Sequence, residues 1–178
     1  VWSQTQWHIV ENGDMHIPVS GGSAVVHGDE IYIIGGVAES KATRLIQAYH
    51  PPTNTWRLLN ELITRRQNGV AAVYGDTVLI CGGATDTTYS ESLEAWDFVD
   101  PPSILLSDLN FNRFYATGVV VNSSLFLFGG FPQLRYDQNT TLPYIVEFHI
   151  PSRSFRFQES TLYSGNGPYQ QMSARYGD

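Results

Sequence analysis

The stretches GGSAVVHGDEIYIIGG (21–36), NGVAAVYGDTVLICGG (68–83) and YATGVVVNSSLFLFGG (115–130) align without a gap. Their glycine doublets, Gly35-Gly36, Gly82-Gly83 and Gly129-Gly130, stand 47 residues apart. A fixed period of this size marks a repeat architecture, in which each unit is one supersecondary element. Each stretch holds two short apolar runs around a polar turn. The runs are rich in β-branched and aromatic residues, which predicts two strands. The turns centre on Gly28-Asp29, Gly75-Asp76 and Asn122-Ser123. Glycine at the first central position suits a type II′ hairpin, and Asn tolerates positive φ there. The second run, Ile31 to Ile34 in the first unit, is apolar throughout. Both of its faces are therefore expected to be buried, as in the middle of stacked sheets.

Outward from each doublet lies a loop of variable length, then a third strand and an aromatic pair. Tyr49 and Trp56 flank a Pro-containing turn, and so do Phe148 and Phe155. The middle unit keeps the first aromatic, Trp96, but has Ser103 where Trp56 stands. Its fourth strand, near Ile104 to Leu106, is expected to pack less well. A five-residue insertion precedes Phe148.

These residues resemble the kelch repeat: a four-stranded unit with a double glycine after its second strand, then a Tyr and a Trp at about this spacing. The resemblance implies an all-β, kelch-type β-propeller with about three four-stranded antiparallel blades, part of a larger ring. The blades are expected at 21–67, 68–114 and 115–171. Residues 1–20 would hold the fourth strand of a preceding blade, around Gln6 to Val10, and a linker. Residues 172–178 would open a next blade, since Arg175 aligns with Arg66 and Arg113. Remaining blades would come from the same protein or, on a second reading, from another chain that completes the ring.

Composition narrows the function. The 178 residues carry a net charge of −7, a pI near 5.1 and 42% hydrophobic residues. Nucleic acid and anionic lipid call for clustered Lys and Arg, so neither is an expected partner. No apolar run reaches the roughly 18 residues of a membrane span, and no signal peptide is visible. The lone Cys81 sits in a strand where the first unit has Ile34, which reads as a small core residue. An unpaired cysteine leans slightly toward an intracellular setting, but the compartment is otherwise open. Two sequons, at Asn122 and Asn139, are candidates for N-glycosylation, although two is near what this composition gives by chance.

Catalytic signatures are missing. The five histidines show no zincin spacing, and there is no CxxC, nucleophile elbow or phosphate-binding loop. His50 and His149 occupy equivalent turns, which points to a repeated structural role. No metal, cofactor or catalytic residue is expected, and the chain is read as a non-enzyme. In kelch propellers partners commonly dock on the loops after the second strand and before the first. Here those loops carry Arg44, Arg65, Arg66, Tyr89, Arg113, Tyr115, Phe131, Arg135 and Tyr136. Arg and Tyr dominate interface hot spots, which suggests a protein or peptide partner, with an acidic one among the candidates. Arg66, Arg113 and Arg175 hold equivalent places, so a repeated role between blades competes with partner contact. The expected function is a non-catalytic protein-interaction module, an adaptor or scaffold. The alternatives are an extracellular recognition or adhesion domain, and part of a propeller enzyme whose site lies in other blades.

Overall fold

A computed structural model describes residues 9–11, 13–99, 104–108, 113–131 and 144–159. They form three four-stranded antiparallel sheets and one small hairpin. The first sheet is β1 (Ser23–His27), β2 (Glu30–Ile34), β5 (Ile46–His50) and β6 (Thr55–Leu58). The hairpin, β3 (Val37–Ala38) with β4 (Lys41–Ala42), grows from the loop between β2 and β5. The second sheet is β7 (Val70–Tyr74), β8 (Thr77–Cys81), β9 (Ser92–Trp96) and β10 (Ile104–Asp108). The third is β11 (Thr117–Val121), β12 (Ser124–Phe128), β13 (Tyr144–His149) and β14 (Ser154–Glu159). Each sheet runs in simple sequence order, so each is one blade of a kelch-type β-propeller.

The first strands pack side by side, β1 against β7 and β7 against β11, and form the inner edge. The doublets end β2, β8 and β12 at the upper face, and the two-residue turns lie at the lower face. Gly28, Gly75 and Asn122 take φ of +57°, +57° and +53° at the first turn position, as the hairpin reading requires.

Two cores lie between the blades. Val25, Tyr32, Ile34, Ile46 and Ala48 of blade 1 meet Val78, Ile80 and Trp96 of blade 2. Val70, Ala72, Leu79, Cys81, Leu93 and Ala95 on the other side of blade 2 meet Val120, Leu125, Leu127, Val146 and Phe148 of blade 3. β8 is buried on both sides from Val78 to Cys81, as expected of a second strand. β2 is not, because Ile31 and Ile33 point away from blade 2 and remain half-buried.

The doublets mark where one blade receives the next. The N–H of Gly36 donates to the Arg66 carbonyl at 2.8 Å, and Gly83 donates to the Arg113 carbonyl at 2.8 Å. A Cβ on Gly82 would lie 2.2 Å from the Arg113 carbonyl oxygen. Only glycine leaves room for that approach.

The aromatic pairs face each other across the third and fourth strands. Tyr49 is opposite Trp56, with ring centroids 4.9 Å apart, and Phe148 is opposite Phe155 at 4.7 Å. Phe148 is fully buried, whereas Tyr49, Trp56 and Phe155 are half-buried. For Tyr49 and Trp56 the reason is position: this side of a blade packs on the preceding blade, and the described residues place no sheet beside blade 1 there; Phe155 lies on the edge strand of blade 3 and packs against the core between blades 2 and 3. Ser103 lies outside the described residues. Phe98, at φ +65°, covers Trp96 instead, 5.0 Å from it. β10 carries a register shift between Leu105 and Ser107, and Ile104 and Leu105 are exposed, in line with the expected weaker packing. Ile9 and Val10 are not in a strand, while Gln6 to His8 and 172–178 lie outside the described residues.

Candidate binding face

Two of the nominated arginines are removed from the surface. Arg66 and Arg113 are 2% and 1% exposed, so they are struts and not partner contacts. Arg66 shows how the strut works. Its backbone N–H donates to Thr43 and its carbonyl accepts from Gly36, which fixes it to blade 1. Its guanidinium enters blade 2, donating to the Gly82 carbonyl at 2.7 Å and to Ser92 Oγ at 2.7 Å. It also pairs with Glu94, which is fully buried. Glu94 accepts the backbone N–H groups of Ile63 at 2.8 Å and Thr64 at 3.1 Å, so its charge is shared among several donors. Such extra bonds offset part of the desolvation of a buried ion pair, although the buried Arg66 Nε has no hydrogen-bond partner among the described residues. Arg113 repeats the carbonyl contact, accepting from Gly83 at 2.8 Å, and donates to the Leu127 carbonyl at 3.3 Å.

Glu94 and Ser92 were not among the residues singled out from the sequence. The signal was an acid in the middle of SLEAW (92–96), in the third strand just before the aromatic Trp96. Such a residue needs a cation close by, and the repeated arginine supplies it.

Phe131 is also buried, against Phe114 at 5.7 Å. Arg44, Arg65, Tyr89 and Tyr115 stay accessible. Arg44 pairs with Glu61 at 3.0 Å, and Arg65 is exposed and donates to the Ala42 carbonyl at 3.2 Å. Asp86 accepts the Ala42 N–H at 2.5 Å. The charge on this face is therefore mixed, not uniformly basic. Arg135, Tyr136 and Asn139 lie outside the described residues. Asn122 is exposed at the lower hairpin tip, away from this face.

The face gathers an aromatic ridge where blades 2 and 3 meet. Phe114 stacks between Tyr89 at 5.8 Å and Tyr115 at 5.0 Å. Tyr89 and Tyr115 are half-exposed over the buried Phe114 and Phe131. Tyr115 has φ +55°. Its equivalents one and two repeats earlier are Asn68 at φ +52° and Gly21 at φ +63°. These three residues link the blades at the inner rim. Asn68 N–H donates to the Gly21 carbonyl at 2.7 Å, and Tyr115 N–H donates to the Asn68 carbonyl at 3.0 Å. Glycine adopts this backbone freely and Asn does so readily, whereas a tyrosine is strained by about 1–2 kcal/mol.

The groups that could carry chemistry are otherwise engaged. Burial pushes the Cys81 thiol up to about 12, so it is not a thiolate at neutral pH. His50 Nδ1 lies 2.7 Å from Thr53 Oγ1, and His149 Nδ1 lies 2.7 Å from Ser152 Oγ, each holding its own turn. Among the described residues no three His, Cys, Asp or Glu cluster closely enough to hold a metal, and no helix is long and apolar enough to cross a membrane.

Comparison with known proteins agrees with this architecture. The Kelch motif matches residues 18–63, which cover blade 1 and its approach. Kelch repeats generally mediate protein–protein interaction. A solved structure described as "Structure of YjhT" is similar in fold, with a TM-score of 0.70 at 13% identity. The match covers 84% of this chain and 54% of that one, so this chain spans about half its length. No curated protein matches.

Proposed function

We propose that the upper face binds a protein or peptide without catalysis, as an adaptor or scaffold would, with Tyr115 at the centre of the contact. The observation that carries this reading is the backbone of Tyr115. A bulky aromatic stands in a left-handed conformation where the other repeats have Gly21 and Asn68. Residues kept in strained conformations cluster at ligand clamps, where surrounding structure holds them in place. Tyr89 lies beside it on the same ridge, and Asn68 offers a side-chain amide one blade away. Rigid aromatics at a rim lose little entropy on binding, which is why they anchor interfaces. Arg65 and Lys41, exposed on the same face, would receive acidic side chains of the partner. Binding is favoured over catalysis because Cys81 is inert and His50 and His149 are tied into turns.

Tyr115→Gly separates this role from a structural one. The variant should gain about 1 kcal/mol of stability, because glycine relieves the strain. It should also lose the proteins that the immobilised wild-type chain retains from its native source. A variant that melts higher yet retains the same proteins would remove Tyr115 from the binding face. A variant that melts lower would show that the ring is a packing element.

A further inference from the structure

The turn between β11 and β12 departs from its two counterparts at every position. Gly28-Asp29-Glu30 and Gly75-Asp76-Thr77 become Asn122-Ser123-Ser124 in blade 3, and of the three only this one is an Asn-x-Ser sequon. The backbone is nevertheless the same, with φ of +57° at Gly28 and Gly75 and +53° at Asn122. Glycine and asparagine both accept this conformation, so the replacement leaves the hairpin intact.

A side chain at this place points into open space. A Cβ built on Gly28 or on Gly75 meets no atom within 4 Å. Blade 2 stands beside the first of these turns and blade 3 beside the second, so a following blade does not close over the tip. Asn122 is exposed accordingly, at the end of a tight two-residue hairpin on the lower face. A bulky group on its amide would leave the strand pairing of blade 3 and the aromatic ridge of the upper face untouched.

The third sequon residue adds an order of events. Ser124 is buried, and its Oγ donates to Glu147 Oε1 at 2.9 Å. An enzyme that reads this hydroxyl therefore acts before β12 pairs with β13, while the chain is still unfolded. The single cysteine is compatible with the oxidising compartment in which such enzymes work. Cys81 is buried to 1% exposure and cannot meet a second thiol.

We propose that Asn122 carries an N-linked glycan, transferred to the nascent chain from a lipid-linked oligosaccharide. The transfer forms a bond between the sugar C1 and Asn122 Nδ2 and breaks the bond between C1 and the donor's pyrophosphate. The lipid pyrophosphate departs, and the amide gives up one proton. The glycan then stands as a hydrated group on the lower face, opposite Tyr89 and Tyr115. This inference rests on the blade 3 turn alone and stands whether or not the upper face binds a partner.

The test is peptide mapping of the protein purified from its native source, after a glycan-cleaving amidase has acted in heavy-oxygen water. The amidase turns a glycosylated Asn into Asp and leaves one heavy oxygen in it. The peptide that holds Asn122 is expected to carry the label. Recovery of that peptide unlabelled, or a label confined to Asn139, would overturn the proposal. A second arm secretes the chain from a eukaryotic host. Asn122→Gly restores the turn residue of blades 1 and 2, so the β-sheet circular dichroism should be retained. The variant should lose one amidase-sensitive step in gel mobility relative to wild type. An Asn122→Gly chain that keeps the wild-type mobility would equally count against a glycan at this tip.

Discussion

The joint between blades 1 and 2 and the joint between blades 2 and 3 use the same backbone and different electrostatics. At the first, Arg66 meets Glu94; at the second, Arg113 enters a blade that has Val146 where blade 2 has Glu94. Blade 1 shows a third solution. Its residue at the Glu94 position is Gln47, and its residue at the arginine position is Val19. Gln47 accepts the Ile17 N–H at 2.7 Å, the repeat of Thr64 donating to Glu94. The carboxylate and the amide therefore perform one shared task, holding the chain that enters the blade. The charge is added only where an arginine shares the pocket. Blades 1 and 2 thus share a hydrogen-bonded socket filled by an amide or a carboxylate, whereas blade 3 keeps the arginine and has Val146 in place of the polar residue, so the two positions vary independently.

That reading is broken most directly at Glu94. Glu94→Ala leaves Arg66 buried without its carboxylate, and breaking a buried pair in this way costs about 3–5 kcal/mol. The double variant Arg66→Val/Glu94→Gln reproduces the residues of blade 1. It should recover a large part of the loss, as denaturant midpoints with unchanged m-values would show. A double variant as unstable as Glu94→Ala would mean that the two sockets are not interchangeable.

A second test compares the aromatic pairs of blades 1 and 3. Phe148→Ala empties a fully buried site and should cost about 3–5 kcal/mol. Trp56→Ala removes a half-buried ring and should cost about 1–2 kcal/mol. Equal losses would show that burial between blades does not set the contribution of these rings.

The smallest expected effect concerns a surface network in blade 1. Arg57 holds Glu30 through two hydrogen bonds, at 3.0 and 2.7 Å, and Tyr32 donates to the same carboxylate at 2.6 Å. The Arg57 bonds first, then that of Tyr32, outweigh desolvation and lower the Glu30 carboxyl from 4.5 to about 2. A depressed folded value stabilises the fold above the unfolded value. That stabilisation is lost as pH falls from about 4.5 through about 2. Glu30→Gln should therefore flatten the stability profile in this window and leave it unchanged near pH 7 apart from a constant offset. In blade 3 the equivalent of Arg57 is Arg156, which lies 3.9 Å from Glu147 on the adjacent strand and is largely exposed.

The sequence by itself determined the period, the strands, their turns and the blade order. These are local properties: alternation of apolar runs, positive-φ turn residues and a doublet that only glycine can supply. It also marked Arg66, Arg113 and Arg175 as one repeated position. Tertiary structure decided what that position does. A loop arginine reads as exposed until the neighbouring blade is placed over it, because burial at this joint comes from residues 16 to 28 positions later, Gly82, Ser92 and Glu94. The same holds for Phe131, covered by Phe114, and for Phe98, which packs on Trp96, Tyr32 and His27. Tyr115 is the converse case. Its alignment with Gly21 and Asn68 was legible, but the strain of a tyrosine at that backbone appears only when the blades fix its φ at +55°. Local pattern sets which residues form strands. Long-range packing sets which of them remain at the surface, since exposure depends on what the rest of the chain brings alongside.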